Sequence, residues 1–202
     1  MSIGKPYSQS CENNQSPILE ILRGVFTQPL TVWEIGSGTG QHACYFGRHL
    51  PHLTWQPSDR EENLPGIAMW LQDAGLDNVK PPLILDVNDK NWPCEKIQAL
   101  FTANTLHIMS LREVETLFDN LEVYLAPLAV VCIYGPFNYQ GEFTSESNAQ
   151  FDQWLKRNNP ESGIRDFEKI DRLATVAGLK LTADHSMPAN NRLLVFERSH
   201  PR

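Results

Sequence analysis

The chain has 202 residues, of which 41% are hydrophobic and 20% are charged, and this composition is typical of a soluble globular protein. Its 17 Lys and Arg residues against 24 Asp and Glu residues give a formal net charge of −7. That balance argues against nucleic acid or an anionic membrane as the main partner, because both attract positive potential. It favours a small-molecule partner over RNA and leaves the oligomeric state open.

The four cysteines, Cys11, Cys44, Cys94 and Cys132, lie far apart and form no CxxC pair. The sequence therefore predicts no metal site, and its sparse thiols predict a reduced, cytoplasmic protein. The first sixteen residues are polar and lack the apolar core of a signal peptide. The longest apolar stretch, residues 125–134, contains Pro127 and is too short to cross a bilayer.

Short apolar runs alternate with amphipathic runs along the chain, which is typical of an α/β protein with a parallel sheet. We predict strands at residues 30–35, 53–57, 83–87, 97–103 and 128–134, and a closing antiparallel hairpin of 179–186 and 192–198. We predict helices at 17–26, 41–50, 61–74, 111–124, 145–156 and 167–177. Ser16 and Pro17 suit a helix start, and Ser110 with Glu113 has the form of a capping box. We expect a single domain over residues 1–202, with 1–28 as an N-terminal lid segment and helix.

Three glycines at alternate positions, Gly36, Gly38 and Gly40, follow the first predicted strand, and Glu34 precedes them by two residues. The first glycine permits a tight turn, the second lets the main chain approach a ligand, and the third lets the next helix pack on the strand. The dinucleotide fingerprint would place its third glycine at Gln41. The shorter spacing found here is the form used for S-adenosylmethionine (SAM), whose cationic groups favour a nearby carboxylate. A tight turn without a ligand is the alternative.

Further candidate cofactor residues follow the neighbouring strands. Asp59 ends the second predicted strand, where a carboxylate can accept hydrogen bonds from both ribose hydroxyls, although it can also cap the next helix. Asp86 and Val87 end the third strand, where Asp86 would accept from the adenine amino group or remain a solvated loop aspartate. Ser37 lies within the turn, and His42 lies against either the cofactor or the core.

The segments after the fourth and fifth predicted strands hold candidates for the chemistry. Asn104 follows the fourth strand, at the point where a cofactor meets its substrate, and it can bind either of them or stabilise its own loop. His107 and Tyr134 are candidate bases, with His107 favoured because its ordinary pKa suits neutral pH. A packing or capping role is the alternative for His107. Arg165 and Arg192 would hold an anionic acceptor group or form surface ion pairs.

The motifs together resemble those of the class I SAM-dependent methyltransferases and, more specifically, of the methyltransferase-like protein 26 family, a mostly bacterial set of unknown function. The shared segments are residues 6–8, 11–14, 17–19, 34–42, 57–59, 104–110, 134–137, 143–148, 163–166 and 190–191. The resemblance implies a Rossmann-like fold with a seven-stranded, mostly parallel sheet in the order 3-2-1-4-5-7-6 and helices on both faces. It also implies methyl transfer from SAM to an acceptor that the sequence does not name.

The resemblance assigns SAM binding to a carboxylate on each of three strand ends and to the glycine turn, namely Glu34, Gly36, Gly38, Asp59 and Asp86. The full predicted set adds Ser37, Gly40, His42, Val87 and Asn104. Two other functions stay open. One is a SAM-binding module without catalysis, and the other is a nicotinamide-dependent oxidoreductase, against which Gln41 and the terminal hairpin count.

Overall fold

The predicted alternation of strands and helices is realised in a computed structural model that describes residues 4–94 and 96–199. Residues 1–3, 95 and 200–202 of the predicted domain lie outside the described residues. The described chain divides into two compact units, one of residues 4–86 and 91–93 and the other of residues 87–90, 94 and 96–199. None of the described helices is long and apolar enough to span a membrane.

The first unit contains, in chain order, α1 (Gln9–Val25), β1 (Thr31–Ile35), α2 (Gln41–His49), β2 (Thr54–Asp59), α3 (Leu64–Ala74) and β3 (Leu83–Ile84). β1 and β2 pair in parallel, with Glu34 beside Pro57 and Ile35 beside Ser58. β2 therefore continues through Pro57, where we had expected it to end. β3 has two residues instead of the predicted five.

The predicted start of the first helix at Pro17 is wrong, because α1 begins at Gln9 and Pro17 lies inside it. Ser8 is the N-cap, and its hydroxyl accepts from the Cys11 N–H at 3.3 Å. Contacts with α2 stabilise these early turns, including one of 2.7 Å between the Asn14 side-chain oxygen and His42 Nε2. The start of α1 could not be predicted from local sequence signals, because it depends on contacts with residues far along the chain.

The second unit contains β4 (Ile97–Ala103), α4 (Leu111–Tyr124), β5 (Leu125–Gly135), β6 (Phe137–Asn138), α5 (Glu146–Asn158), β7 (Arg165–Asp166), α6 (Phe167–Val176), β8 (Leu179–Met187) and β9 (Asn191–Arg198). The capping box at the start of α4 is confirmed, since Ser110 and Glu113 exchange both hydrogen bonds. β4 and β5 are parallel, and the antiparallel hairpin of β8 and β9 adds to β5.

Within the described residues, seven strands form one sheet in the order β3-β2-β1-β4-β5-β9-β8, and β6 pairs only with β7. Numbering these seven strands consecutively gives 3-2-1-4-5-7-6, so the predicted order is confirmed. The parallel strands β1, β4 and β5 are largely apolar, as expected for strands buried on both faces; Val32, Phe101 and Val131, for example, have no exposed area.

Candidate functional site

The turn after β1 has the conformation that its glycines predict. Gly36, Gly38 and Gly40 have φ values of 72°, 58° and 87°, a region that favours glycine. A Cβ on Gly38 would meet nothing within 4 Å, so there is open space beside its main chain. A Cβ on Gly40 would lie 3.1 Å from Ile67, so the third glycine allows close packing on α3, whereas we had expected packing on the strand.

Asp59 joins the end of β2 to this glycine turn. Its Oδ2 accepts from the Gly38 N–H at 2.7 Å, and its Oδ1 accepts from the Arg60 N–H and from Asn63 Nδ2, both at 2.8 Å. Only 8% of the residue is exposed. A carboxylate has about four acceptor positions, so these three bonds leave room for a further donor. The carboxylate thus faces the turn, as a ribose-binding role requires.

Glu34 lies beneath the turn and is 1% exposed. Its Oε2 accepts from the Ser37 hydroxyl and from Trp55 Nε1, both at 3.0 Å. Burial raises the pKa of Glu34 to about 7; the bonds from Trp55 and Ser37 oppose that rise, and the charge of Asp59 adds to it. Glu34 is therefore a buried acid with an incompletely compensated negative charge.

The remaining predicted cofactor residues of the first unit differ in their surroundings. The Ser37 hydroxyl also accepts from the Ser58 N–H at 3.2 Å, so it fastens the turn to β2. The His42 ring is buried and stacks on Phe46, and burial lowers its pKa to about 4. The ring of His42 therefore lies in the core, which is one of its two predicted places. A contact of His42 with a cofactor stays a prediction.

The two residues predicted to lie beside the adenine follow β3. Asp86 is half-buried, and Val87, which belongs to the second unit, is buried. The Val87 carbonyl accepts from Asn120 Nδ2 at 2.7 Å, which holds its main chain against α4. Their roles toward a cofactor stay predictions.

The N-terminal segment, residues 4–14, is attached to the end of the glycine turn. Gln41 Oε1 accepts from the Ser8 N–H at 2.6 Å and from the Thr39 hydroxyl at 3.0 Å, and Gln41 Nε2 donates to the Ser8 carbonyl at 3.3 Å. Trp70 Nε1 donates to the Pro6 carbonyl at 2.6 Å. Gln41 therefore connects this segment to the turn.

A cavity of about 370 Å³ also lies in the first unit, lined by the N-terminal segment and by α1, α2 and α3. Its lining includes Lys5, Glu12, Tyr45, Arg48 and Trp70. None of the predicted cofactor residues lines it, but Gln41, which directly follows Gly40, does.

In the second unit, Asn104 and His107 converge over Gly135. A Cβ on Gly135 would lie 3.7 Å from His107 Nδ1 and 3.9 Å from Asn104 Oδ1. Asn104 has a φ of 57°, and its N–H donates to the Tyr134 carbonyl at 2.9 Å. Asn tolerates this left-handed conformation better than most residues. Tyr134 itself is buried in β5 between Ala103 and Leu193.

His107 is 5% exposed, and its ring meets the Phe151 ring edge-on, with 5.3 Å between the ring centroids. Burial lowers its pKa to about 4, and the positive charge of Arg165 adds to that effect. The imidazole is therefore neutral at pH 7, with one nitrogen able to accept a proton or hydrogen bond. It is a weak base in this environment.

The two candidate arginines behave differently. Arg192 forms an ion pair with Asp184 at 2.7 Å, which confirms the simpler of its two predicted roles. Arg165 forms no ion pair among the residues that the structure describes, and its guanidinium donates to main-chain carbonyls, including Leu106 O at 3.1 Å. A contact of Arg165 with an anionic acceptor stays a prediction.

Sequence reasoning missed Trp55 and Gln41 as parts of the glycine-turn region, and it gave Arg165 a different role from the one observed. Trp55 is a strand residue whose indole N–H reaches the Glu34 carboxylate, and nothing local signals that contact. In the sequence, Gln41 is distinctive only because the dinucleotide fingerprint has a glycine at that position. The charge of Arg165 points to an anionic partner, and nothing local signals its bonds to main-chain carbonyls.

The comparisons with known proteins agree with the fold. The chain is similar to an O-methyltransferase family protein from Burkholderia thailandensis, with a TM-score of 0.82 and 19% identity over 93% of this chain and 57% of that one. It is similar to the S-adenosylmethionine-dependent methyltransferase SibL, with a TM-score of 0.78 and 19% identity over 94% of this chain and 56% of that one. A methyltransferase of calicheamicin biosynthesis with SAH bound matches with a TM-score of 0.67 and 17% identity, over 84% of this chain and 49% of that one.

The chain spans little more than half the length of these solved proteins, at most 57% in the three cases. At such identities the likeness shows the fold, which is that of the Rossmann-like class I methyltransferases. A family model described as a protein of unknown function (DUF938) matches residues 5–198. The chain therefore belongs to the DUF938 family.

Proposed function

We propose that the protein is a SAM-dependent methyltransferase that transfers a methyl group to a small-molecule acceptor. One observation carries the proposal: the open main chain of Gly38 faces the Asp59 carboxylate at 2.7 Å, at the carboxyl ends of two adjacent parallel strands. In open α/β sheets this is where ligands bind. The methyltransferase fold of the neighbouring solved structures supports the same function.

The residues around the glycine turn fit SAM by their chemistry. Asp59 has a free acceptor position for a ribose hydroxyl, and Gly38 leaves space for a ligand beside the chain. Burial raises the pKa of Glu34 to about 7, and a cation in its neighbourhood would favour its ionised form. When bound, SAM supplies an electrophilic methyl group on a sulfonium. The assignments of Ser37, His42, Asp86, Val87 and Asn104 to the cofactor are further parts of this proposal.

The acceptor is assigned to His107 and Asn104. A neutral imidazole accepts a hydrogen bond from a hydroxyl or amine, and an amide oxygen beside it can orient the same group. Because a sulfonium methyl is already activated, orientation of the nucleophile supplies much of the rate, and a weak base suffices. Tyr134 remains the second candidate base.

The N-terminal segment is assigned the role of a lid that excludes water from the cofactor. Its attachment to Gln41, at the end of the glycine turn, supports this role. Gly66→Ala tests it, since a Cβ there would lie 2.6 Å from Pro6 Cγ and would displace the segment from α3. We expect faster SAM dissociation in this variant, and an unchanged rate would contradict the lid.

Ligand-dependent unfolding tests the function. We expect SAM and S-adenosylhomocysteine to raise the melting temperature and NAD to leave it unchanged. At about 100 times its dissociation constant, a ligand stabilises by about 2.7 kcal/mol. A response to NAD alone would favour the oxidoreductase, and no response to SAM would contradict the proposal.

Incubation with methyl-labelled SAM and a cell extract then separates an enzyme from a binding module. A labelled small product identifies the acceptor and supports transfer, whereas SAM binding without any labelled product favours the non-catalytic alternative. The narrower relationship to the methyltransferase-like protein 26 family and a cytoplasmic location belong to this proposal as well.

A further inference from the structure

The turn that carries His107 is held through its main chain. Residues 106–109 lie between β4 and α4, and the carbonyl of each accepts a hydrogen bond from the segment 162–165. Gly163 N–H donates to His107 O at 2.9 Å, and the Ser162 hydroxyl donates to Ile108 O at 2.6 Å. The two outer carbonyls, of Leu106 and Met109, both accept from Arg165. We call residues 162–165 the bracket.

Arg165 suits this place because of the geometry of its guanidinium. Nε donates to Leu106 O at 3.1 Å, while Nη2 donates to Met109 O and, at 2.9 Å, to Glu161 O. Within the described parts of the chain, Arg165 forms no ion pair closer than 4.0 Å. A planar fork with five donors can bridge two carbonyls on either side of His107, and a lysine ammonium cannot reproduce that fork.

The bracket is itself fastened to α5. Asp152, which is buried, accepts from the Ile164 N–H at 2.8 Å and pairs with Lys156 at 2.7 Å. A Cβ on Gly163 would lie 2.9 Å from Asp152 Oδ1, so this close approach requires glycine. Phe151, on the same helix, packs edge-on against the imidazole. The position of His107 is thus set by two segments distant in sequence.

We propose that Arg165 is a positioning residue that fixes the His107 imidazole over Gly135 by bridging the carbonyls of Leu106 and Met109. The inference rests on the proposed function in that His107 is assigned to the acceptor. The charged groups that act here are Arg165 on the imidazole, and Asp152, Glu161 and Glu113 on Arg165. Arg165 acts through the turn, and it is not assigned a contact with the substrate.

The test compares Arg165→Lys with Arg165→Gln in the full chain, by NMR titration of histidine-labelled protein. The His107 signal is assigned by its loss in His107→Gln. Arg165→Lys keeps the positive charge and removes the fork, whereas Arg165→Gln removes both. If Arg165 positions the turn, both variants expose the imidazole and raise its pKa by about one unit or more, toward its ordinary value.

A shift in Arg165→Gln alone would show that only the charge matters, and a shift in neither variant would show that the bridge does not position His107. Either result overturns the inference. Ser162→Ala, which removes one bond to Ile108 O, is the matched control, and we expect a smaller shift than in Arg165→Lys.

One measurement needs no variant and covers the case in which the substituted chains do not fold. Exchange of the Arg165 Nε–H with solvent in the parent protein should be at least tenfold slower than for exposed arginines. An equal rate overturns the inference. SAM affinity, measured on the parent protein in parallel, tests the proposed function separately, because SAM binding is assigned to the glycine turn and not to the bracket.

Discussion

The two regions that carry the proposed function are built in opposite ways. The glycine turn is a local structure, formed by residues 36–40 and by strand ends that the sequence pattern marks. The His107 turn is held by residues 162–165, more than fifty positions further along the chain. A region formed by glycines close together in sequence can be recognised from a motif. A region held by hydrogen bonds between residues far apart in sequence can be recognised only from the three-dimensional structure.

The largest effect that we expect within the glycine turn concerns stability and pH. The pKa of Glu34 rises from 4.5 to about 7 on folding, so ionising it destabilises the folded chain as the pH rises from about 4.5 to about 7. Glu34→Gln removes this cost. The free energy of unfolding of the variant, relative to the parent, should therefore increase by about 3 kcal/mol between pH 4.5 and pH 8.

The comparison with the parent is needed because His42 and His107 act in the opposite sense. Folding lowers the pKa of each histidine from 6.5 to about 4. The folded chain therefore loses stability through these two groups as the pH falls below 6.5. Urea unfolding at several pH values measures the difference. If the two chains lost stability in parallel across this range, Glu34 would not be the buried acid described here.

Asp59→Ala should weaken SAM binding by about 10–100-fold, because a carboxylate that accepts from ribose contributes charge-assisted hydrogen bonds of about 1.5–3 kcal/mol. Calorimetric titration with SAM measures the loss. Asp77→Ala is the matched control, since Asp77 is exposed and lies in the same unit. Equal SAM affinities in the two variants would contradict the assignment of Asp59 to the ribose.

Gly135→Ala probes the second region directly. The added methyl would sit 3.7 Å from His107 Nδ1 and 3.9 Å from Asn104 Oδ1, which is ordinary contact, so the chain should fold. The methyl group would occupy the space beside His107 and Asn104 that we assign to the acceptor. Once labelled SAM has identified the acceptor, its rate of methylation by this variant should be lower by about tenfold or more. SAM affinity should stay within twofold. Unchanged transfer would place the acceptor elsewhere.

The smallest effect that we expect comes from substituting Gly38, and it tests whether that glycine is needed for its backbone conformation or for the space beside it. A Cβ on Gly38 or on Gly24 would meet nothing within 4 Å, but only Gly38 has a positive φ, of 58°. Gly38→Ala should therefore cost about 1–2 kcal/mol of unfolding free energy. Gly24→Ala, inside α1, should gain about 0.5–1 kcal/mol. If both variants gained stability, the strained conformation of the turn would be disproved.

The sequence predicted best those features whose cause is local. The capping box of Ser110 and Glu113 lies within one helical turn, and the conformation at Gly36 and Gly38 follows from the lack of a side chain. The strand order was predicted through a resemblance to a known fold, since periodicity alone does not order strands.

Features fixed by tertiary contacts were predicted poorly. Ser16 and Pro17 form a plausible helix start, yet contacts of Ser8 and Asn14 with α2 stabilise two earlier turns. Pro57 sits within β2 although it cannot donate to the sheet. Arg165 carries a charge that sequence reasoning assigns to an anion, while the folded chain uses its N–H groups on carbonyls.

The central claim is that SAM binds at the glycine turn, and glycine-labelled protein titrated with SAM tests it most directly. The chain has 12 glycines, so the amide signals are few enough to assign individually. We expect the signals of Gly36 and Gly38 to move on addition of SAM while that of Gly24 stays fixed. If SAM moved only signals such as those of Gly47 and Gly66, the cofactor would bind elsewhere and the account would be wrong.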